Sequence, residues 1–318
     1  MQPIQGIHHI TAVAGDPQRN VDFYVQVLGQ RFVKKTVNFD DPGTYHLYYG
    51  DLVGSPGTIM TFFPWRYARR GRRGNGEVSA GAYNIAPASF DYWWKRLSSH
   101  GVAALTRGTR FGADVIGFHD PDGMRIELIT HEGQPTPQVW ENGPVPADHA
   151  LRAFHGVTIG VEDPQQTATL LVHHMGYTPV GEEGSRLRFQ GASADHGQYV
   201  DLLVQPGLGY GQLGAGSVHH VAFRTADDAE QLEYKDALTA VGLGPTPVQD
   251  RQYFHSIYFR EPSGTLFEIA TDAPGFAWDE PVDSLGRGLK LPPWLEGQRA
   301  MVDARLPVLV NPEYAPAE

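Results

Sequence analysis

Two pairs of adjacent histidines open strand-like stretches far apart along the chain, His8-His9 in GIHHITAVA and His219-His220 in VHHVAFRT. Glu268 lies four residues beyond a turn glycine in EPSGTLFEIA, within a strongly apolar stretch. Imidazole nitrogens and carboxylate oxygens are ligands for divalent transition metals. The chain contains no cysteine, which excludes thiolate metal sites, disulfides and cysteine nucleophiles, so any metal must be held by nitrogen and oxygen.

The composition indicates a folded chain rich in short strands. Of its 318 residues, 41% are hydrophobic and only 19% are charged, and 37 glycines and 24 prolines favour many turns. The net charge of −11 argues against a nucleic-acid or anionic-membrane binder, because both need a broad cationic surface. The N-terminus has no signal-peptide pattern, and no apolar run approaches the roughly 20 residues of a spanning helix. We therefore expect a cytoplasmic protein.

A weak pattern repeats four times along the chain, and each copy is typical of a strand, a short helix and about three further strands. Each helical segment has apolar residues at i, i+3, i+4 and i+7, which is one face of a helix. A βαβββ module of this size cannot bury both faces of its sheet alone, so modules must pair. We predict an α+β fold with four modules in two curled-sheet barrels. The modules are predicted at 5–65 and 78–132 within an N-terminal half, 1–140, and at 152–206 and 216–272 within a C-terminal half, 152–272, followed by an extended tail, 273–318.

The repeat places chemistry-bearing residues in two equivalent positions of each module. The first strands align on His9, Tyr83, His155 and His220, and the last strands align on Thr61, Glu127, Asp201 and Glu268. Because alternate residues of a strand share a face, two paired modules bring four of these side chains around one cavity. Modules 1 and 4 would combine His9, Thr61, His220 and Glu268; modules 2 and 3 would combine Tyr83, Glu127, His155 and Asp201; and modules 3 and 4 would combine His155, Asp201, His220 and Glu268. The spacing alone leaves these pairings open.

The set from modules 1 and 4 suits oxygen chemistry. Two histidines and one carboxylate on one face of an octahedron form the ligand arrangement of non-haem iron(II) oxygenases, since three positions remain for substrate and dioxygen. A fourth carboxylate at Thr61 would instead suit a closed, non-oxidative metal site.

Seven stretches, spread over nearly the whole chain, resemble a known family. They are HHIT at 8–11, FYVQVLGQRFVKKT at 23–36, YHLYYGD at 45–51, GTRFG at 108–112, GEEGSRLRF at 181–189, VHHVAF at 218–223 and YFHSIYFREPSGTLFEIAT at 253–271. The family is the vicinal-oxygen-chelate (glyoxalase-like) superfamily, and within it the ring-cleaving dioxygenases of the 2,6-dichlorohydroquinone 1,2-dioxygenase type. The resemblance implies that module 1 pairs with module 4.

The same resemblance implies a site and a reaction. The metal ligands would be His9, His220 and Glu268, holding Fe(II), with Mn(II) or Zn(II) as substitutes. Polar residues with implied catalytic roles near the metal are His8, Thr11, His219, Arg251 and Tyr258. Strict alternation places His8 and His219 on the opposite face from their neighbours, so a bulge would be needed to bring them toward the metal. The partners would be O2 and a small hydroquinone-like or catechol-like aromatic, cleaved in extradiol fashion, and a homo-oligomer is left open.

Two other functions on the same fold stay open at this point. One is a glyoxalase-like metal-dependent lyase or isomerase, and the other is a non-enzymatic small-molecule binding protein. Glu127 and Asp201 are expected to line a vestigial second cavity, and the basic stretch 66–77 is expected to be a solvated loop. His255 stands where the dioxygenases of this type carry an acidic residue, which leaves the preferred ring substituents open.

Overall fold

A computed structural model describes residues 1–133, 138–192 and 197–312 of the chain. In these residues sixteen strands form two sheets of eight strands each. The strands are β1 (Ile7–Ala14), β2 (Arg31–Asn38), β3 (Asp41–Gly50), β4 (Ile59–Pro64), β5 (Glu77–Ile85), β6 (Ala103–Arg110), β7 (Ala113–His119), β8 (Arg125–Thr130), β9 (Phe154–Val161), β10 (Thr178–Glu183), β11 (Arg186–Gln190), β12 (Tyr199–Val204), β13 (Val218–Thr225), β14 (Gln249–Asp250), β15 (His255–Arg260) and β16 (Leu266–Thr271). The predicted α+β fold of paired βαβββ modules is confirmed.

Each sheet combines two modules, which are neighbours along the chain in the second sheet but not in the first. The first sheet has the order β14-β15-β16-β13-β1-β4-β3-β2, so module 1 pairs with module 4. The second has the order β10-β11-β12-β9-β5-β8-β7-β6, so module 2 pairs with module 3. This is the pairing that the resemblance implies. At the centre of the first sheet β1 runs antiparallel to β13, which brings together residues that are far apart in the sequence. The domain limits at 140 and 152 stay a prediction.

Short helices cover the sheets, and the first shows how the sequence specifies them. The helices are α1 (Pro17–Asp22), α2 (Phe90–Ser99), α3 (Gln165–Thr169), α4 (Asp228–Ala240), α5 (Pro293–Glu296) and α6 (Arg299–Arg305), with π-helical turns at Phe23–Val27 and Leu170–His174. Asp16 caps α1 by accepting a hydrogen bond from the Arg19 amide at 2.8 Å, and Pro17 occupies the first turn. The predicted apolar face is buried, as Val21, Tyr24, Val25 and Leu28 show.

The segment after β16 packs on the first sheet. Phe276 and Leu285 join a buried cluster with Val33 and Tyr48. The ammonium of the fully buried Lys34 lies 2.6 Å from Asp279 and 2.7 Å from Glu280, two acids of this segment. The segment is not extended throughout, because it contains α5 and α6.

Two β-bulges interrupt the central pairing of the first sheet. Ile7 lies opposite Phe223 and His9 lies opposite Ala222, so β1 has one extra residue, His8. Thr11 lies opposite His220 and Ala12 lies opposite Val218, so β13 has the extra residue His219. A bulge bends a strand and redirects its side chains. The bulges therefore supply the departure from alternation that the doubled histidines require.

The equivalent strands of the second sheet correct the predicted alignment. Glu127 lies opposite Ala82 and Asp201 lies opposite Thr158, as Glu268 lies opposite Ala222. The positions equivalent to His9 and His220 are two residues earlier in each first strand, at Ala80 and Gly156. The alignment on Tyr83 and His155 is therefore wrong. The physical reason is that bulges at Ser79 and His155 shift the register of the strands. Whether a strand bulges depends on the strand it pairs with, so the spacing within one module does not reveal it.

Candidate metal centre and active-site cavity

Two imidazoles and a carboxylate converge in the interior of the first sheet. His9 Nε2 and His220 Nε2 are 3.3 Å apart. Glu268 Oε2 lies 3.3 Å from the first and 2.9 Å from the second. All three side chains are buried, and one ligand atom from each lies within 4.8 Å of the others. The three groups can therefore reach one ion.

The chemistry of this donor set fits a divalent metal. Burial alone would raise the pKa of Glu268, but His9 and His220 together hold it well below its usual value, so the carboxylate is an anion. Burial lowers the pKa of His220, although Glu268 opposes that shift. Glu268 Oε1 accepts a hydrogen bond from Ser256, whereas the buried Oε2 accepts no well-formed hydrogen bond. A buried anionic oxygen without a hydrogen bond is costly, and a coordinated cation would stabilise it.

The two bulged histidines lie directly behind the two candidate ligands. His8 Nδ1 is 2.9 Å from His9 Nδ1, and His219 Nδ1 is 2.8 Å from His220 Nδ1. Burial holds the pKa of His8 well below its usual value and lowers that of His219 to about 3, so both rings are neutral and can accept a hydrogen bond. A ligand histidine that donates from Nδ1 keeps its Nε2 lone pair for a metal, which is the usual support for such ligands.

The fourth position around the centre is neutral and already hydrogen-bonded. Thr61 Oγ1 lies 2.9 Å from Thr11 Oγ1 and 2.8 Å from His46 Nε2. Tyr48 OH lies 2.7 Å from His46 Nδ1 and extends the chain of hydrogen bonds. No role was predicted from the sequence for His46 or Tyr48. The two residues alternate on β3 and therefore share one face of the sheet, and Tyr48 lies opposite Thr61. This alternation is the sequence signal that could have identified them.

A cavity of about 380 Å³ opens onto this centre, within the range of roughly 300–1,000 Å³ that is usual for small-ligand pockets. Its walls are largely aromatic and apolar, formed by Phe39, Tyr48, Phe63, Trp65, Phe254 and Leu266. Its polar lining includes His9, Asn38, Asp40, His46, His219, His220, Thr246, Gln249, Arg251 and Tyr258. A flat aromatic ring with polar substituents matches such a lining.

Arg251 and Tyr258 form one polar side of the cavity. The Arg251 Nε donates to Tyr258 OH at 3.1 Å, and its guanidinium pairs with Asp40 at 3.0 Å. Burial, with a contribution from Glu268, raises the pKa of Tyr258, so its hydroxyl stays protonated. Asp40 is on the turn between β2 and β3, so the ion pair joins module 1 to module 4.

The structure divides the sequence-predicted polar residues into two groups. His219, Arg251 and Tyr258 line the cavity, whereas His8 and Thr11 lie behind it and contact His9 and Thr61. His255, the position that left the preferred ring substituents open, pairs with Asp228 at 2.6 Å and is not among the residues that line the cavity.

The second sheet keeps its carboxylates but pairs them with arginines. Arg110 makes a two-pronged contact with Glu127. Arg188 does the same with Asp201 at 2.8 and 2.9 Å, and Arg186 adds a contact at 3.1 Å. Ala80 and Gly156, at the positions equivalent to His9 and His220, offer no ligand atom. The candidate ligand sets from modules 2 and 3, and from modules 3 and 4, are therefore not assembled.

Comparison with known proteins agrees with this fold. The model of the Glyoxalase/Bleomycin resistance protein/Dioxygenase superfamily matches residues 6–128. MhqO of Bacillus subtilis (strain 168), whose name assigns it provisionally to the ring-cleaving dioxygenases, is 47% identical over 95% of this chain and 95% of its own. The chlorohydroquinone/hydroquinone 1,2-dioxygenase of Sphingobium indicum is 37% identical over 92% of this chain and 93% of its own.

Solved structures of similar fold also match this chain. A crystal structure from Bacillus subtilis subsp. subtilis str. 168, of a protein named provisionally as a dioxygenase, has a TM-score of 0.93 and 46% identity, covering 98% of this chain and 99% of that one. Glyoxalase I from Zea mays has a TM-score of 0.61 at 17% identity over 84% of this chain and 92% of its own, which shows the fold alone.

The chain belongs to the glyoxalase/bleomycin resistance protein/dioxygenase superfamily. Within that superfamily it is a member of the ring-cleaving dioxygenase group, whose enzymes are oxidoreductases. None of the helices in the described residues combines the length and the apolar character that a membrane crossing requires.

Proposed function

We propose that this protein is an Fe(II)-dependent, extradiol-type dioxygenase that cleaves a hydroquinone-like or catechol-like aromatic ring. One observation carries the proposal: His9, His220 and Glu268 converge in the first sheet, while the fourth position holds the hydrogen-bonded, neutral Thr61. Three protein ligands leave room for both a substrate oxygen and dioxygen. A closed site with four protein ligands would leave less room for both.

The reaction balances with O2 as the only co-reactant. A ring bond between a hydroxyl-bearing carbon and its neighbour breaks, the first carbon becomes a carboxylic acid, and the neighbour becomes an aldehyde. Both oxygen atoms of O2 enter the product. Ferrous iron bound by the three ligands would supply the template and the redox chemistry for this step.

The cavity residues would position the ring. The two hydroxyls of a hydroquinone are para, so only one can reach the centre and the other must be held by polar side chains of the cavity. Phe63, Trp65 and Phe254 offer aromatic faces to the ring between these ends. The ring orientation is therefore fixed by apolar packing and by one polar contact at each end.

The polar residues near the centre would handle charge and protons. The Arg251 guanidinium would stabilise negative charge that develops on oxygen, since it is a fixed cation in a largely buried position. Tyr258, which stays protonated, would donate a hydrogen bond to an oxygen of the substrate. His219 is neutral and lines the cavity, and because its Nδ1 accepts from His220, its Nε2 would donate a hydrogen bond to a substrate oxygen.

Anaerobic reconstitution tests the proposal. The protein is loaded separately with Fe(II), Mn(II) and Zn(II), and O2 uptake and ring-fission absorbance are followed on a panel of hydroquinones and catechols. The expected result is one O2 consumed per ring cleaved, with both ¹⁸O atoms recovered in the product. Iron-loaded protein that consumes no O2 on any of these substrates would contradict the proposal. Turnover of a carbonyl substrate with Zn(II), without O2, would select the glyoxalase-like alternative.

A further inference from the structure

A second pocket adjoins the active-site cavity and has an unusual charge. It has a volume of about 360 Å³, and its lining includes Tyr45, Trp65, Arg66, Tyr67, Arg305 and Pro307. We call it the tail pocket, because Arg305 and Pro307 belong to the C-terminal segment. Trp65 lines both cavities, so the two cavities share a wall residue.

The tail pocket is cationic on an acidic protein. The chain carries 36 acidic and 25 basic residues, yet among the residues that the structure describes, two arginines and no carboxylate line this pocket. Asp303 influences Tyr45 electrostatically but is not part of the lining. A pocket with this lining favours an anion, since none of its described lining residues neutralises the two guanidinium groups.

The two arginines are also unpaired in the part of the chain that the structure describes. Neither Arg66 nor Arg305 forms a salt bridge or a side-chain hydrogen bond there. By contrast, Arg251, in the neighbouring cavity, is paired with Asp40 at 3.0 Å. Guanidinium groups bind carboxylates through two parallel hydrogen bonds, and free guanidiniums beside a pocket are available for that contact.

Two aromatic side chains of the lining, Tyr45 and Trp65, are held in place. Tyr45 is buried and its hydroxyl donates to the Pro307 carbonyl at 2.9 Å, which ties the C-terminal segment to β3. The Trp65 ring stacks at 6.2 Å from Phe63. Aromatic faces next to cations suit a flat, unsaturated acid better than a compact inorganic anion.

We propose that the tail pocket binds the carboxylate of a flat, unsaturated acid, and that the acid it serves is the ring-cleavage product on its way out of the active-site cavity. The identity of the acid rests on the proposed function, because ring cleavage converts an uncharged phenol into a carboxylate. The substrate thus carries no charge that these arginines would hold, whereas the product does.

Equilibrium binding of trans,trans-muconate tests the anion site without turnover. Muconate is titrated by calorimetry into metal-free protein, and again in the presence of a saturating uncharged phenol. We expect one binding site per chain that survives the phenol, weakens with added salt and does not take dimethyl muconate. In the variant Arg66→Gln/Arg305→Gln the affinity should fall at least about tenfold. The matched control is Arg69→Gln, an exposed arginine of the same loop outside the lining, which should bind muconate as the unmodified protein does.

The outcomes separate the two proposals. Unchanged muconate affinity in Arg66→Gln/Arg305→Gln, or loss of binding when phenol fills the active-site cavity, would overturn the tail pocket as an anion site. Arginine-dependent binding of muconate together with absence of ring cleavage would uphold the site and overturn only the proposed function and the product assignment. With an active enzyme, the product should inhibit Arg66→Gln/Arg305→Gln less strongly than Arg69→Gln, and equal inhibition would overturn the exit role.

Discussion

His8 and His219 occupy equivalent β-bulges on the paired strands β1 and β13, and each presents its Nδ1 to the Nδ1 of a candidate metal ligand at 2.9 and 2.8 Å. The doubling of histidine in β1 and in β13 thus has a geometric basis. In each pair, one residue reaches the candidate centre and the other, the extra residue of the bulge, is placed to hold the first in orientation.

Replacement of His219 tests this support. His219→Leu removes the acceptor for His220 Nδ1, and the loss of such support for a ligand histidine typically lowers metal affinity by about 10- to 100-fold. His219→Asn, which keeps an acceptor oxygen, should retain more of the affinity. Chelator competition measures the affinity directly, with His255→Asn as a control outside the cavity. Equal affinities in the Leu and Asn variants would contradict the orienting role.

Glu268→Gln removes the anionic ligand while keeping the size of the side chain. Since loss of a supporting residue alone costs about 10- to 100-fold in affinity, loss of the ligand should abolish iron retention through dialysis. The matched control is Glu127→Gln, at the equivalent position of the second sheet, which should leave iron content unchanged. Metal analysis of both proteins, with circular dichroism to establish folding, gives the answer. Full iron occupancy in Glu268→Gln would show that this carboxylate is not a ligand.

Thr61→Glu tests the significance of the fourth position. A carboxylate there would complete a four-ligand site of the closed kind, so we expect tighter binding of Ni(II) or Zn(II) and loss of O2 uptake with Fe(II). Thr61→Val, which keeps the volume and adds no ligand, should retain metal binding at the level of the unmodified protein. O2 uptake undiminished in Thr61→Glu would mean that this position does not face the metal.

Asp120 should make stability depend on pH. Burial raises its pKa from 3.8 to about 6 in the folded state, although two amides and the Tyr24 hydroxyl donate to it. A raised pKa means that the folded state binds the proton more tightly than the unfolded chain does. The stabilisation is therefore fully present below pH 3.8 and is lost as pH rises through 6, on the order of 2–3 kcal/mol.

The nearly isosteric Asp120→Asn should remove this dependence. Chemical denaturation at a series of pH values between 4 and 7 measures the free energy of unfolding, and the difference between the two proteins should grow across this range in favour of Asn. A constant difference would show that Asp120 has an ordinary pKa.

The sequence predicted the modules well because their signals are local. The apolar face of the first helix is buried, as the spacing of Val21, Tyr24, Val25 and Leu28 predicts. The turn glycines Gly57, Gly123, Gly197 and Gly264 all have positive φ, a conformation that glycine adopts without strain. Helix faces and turns depend on a few neighbouring residues, so one chain is enough to predict them.

The parts of the site that were not predicted depend on partners distant in sequence. The bulge at His155 follows from the register of β9 on β5, which no spacing within module 3 encodes. Arg110, on another strand, pairs with Glu127 and so removes a candidate ligand that the sequence of β8 alone offers. Apart from their alternation on β3, nothing in the sequence distinguishes His46 and Tyr48 from ordinary strand residues, and their position near the centre follows from the pairing of β3 with β4.

The most direct test of the central claim is anomalous diffraction at the iron edge from crystals reconstituted anaerobically with Fe(II). The account predicts a single iron peak at about 2.0–2.2 Å from His9 Nε2, His220 Nε2 and a Glu268 oxygen, with Thr61 outside the coordination sphere. A peak elsewhere in the molecule, or one bound by only part of this set, would contradict the proposed metal centre and the oxygen chemistry inferred from it.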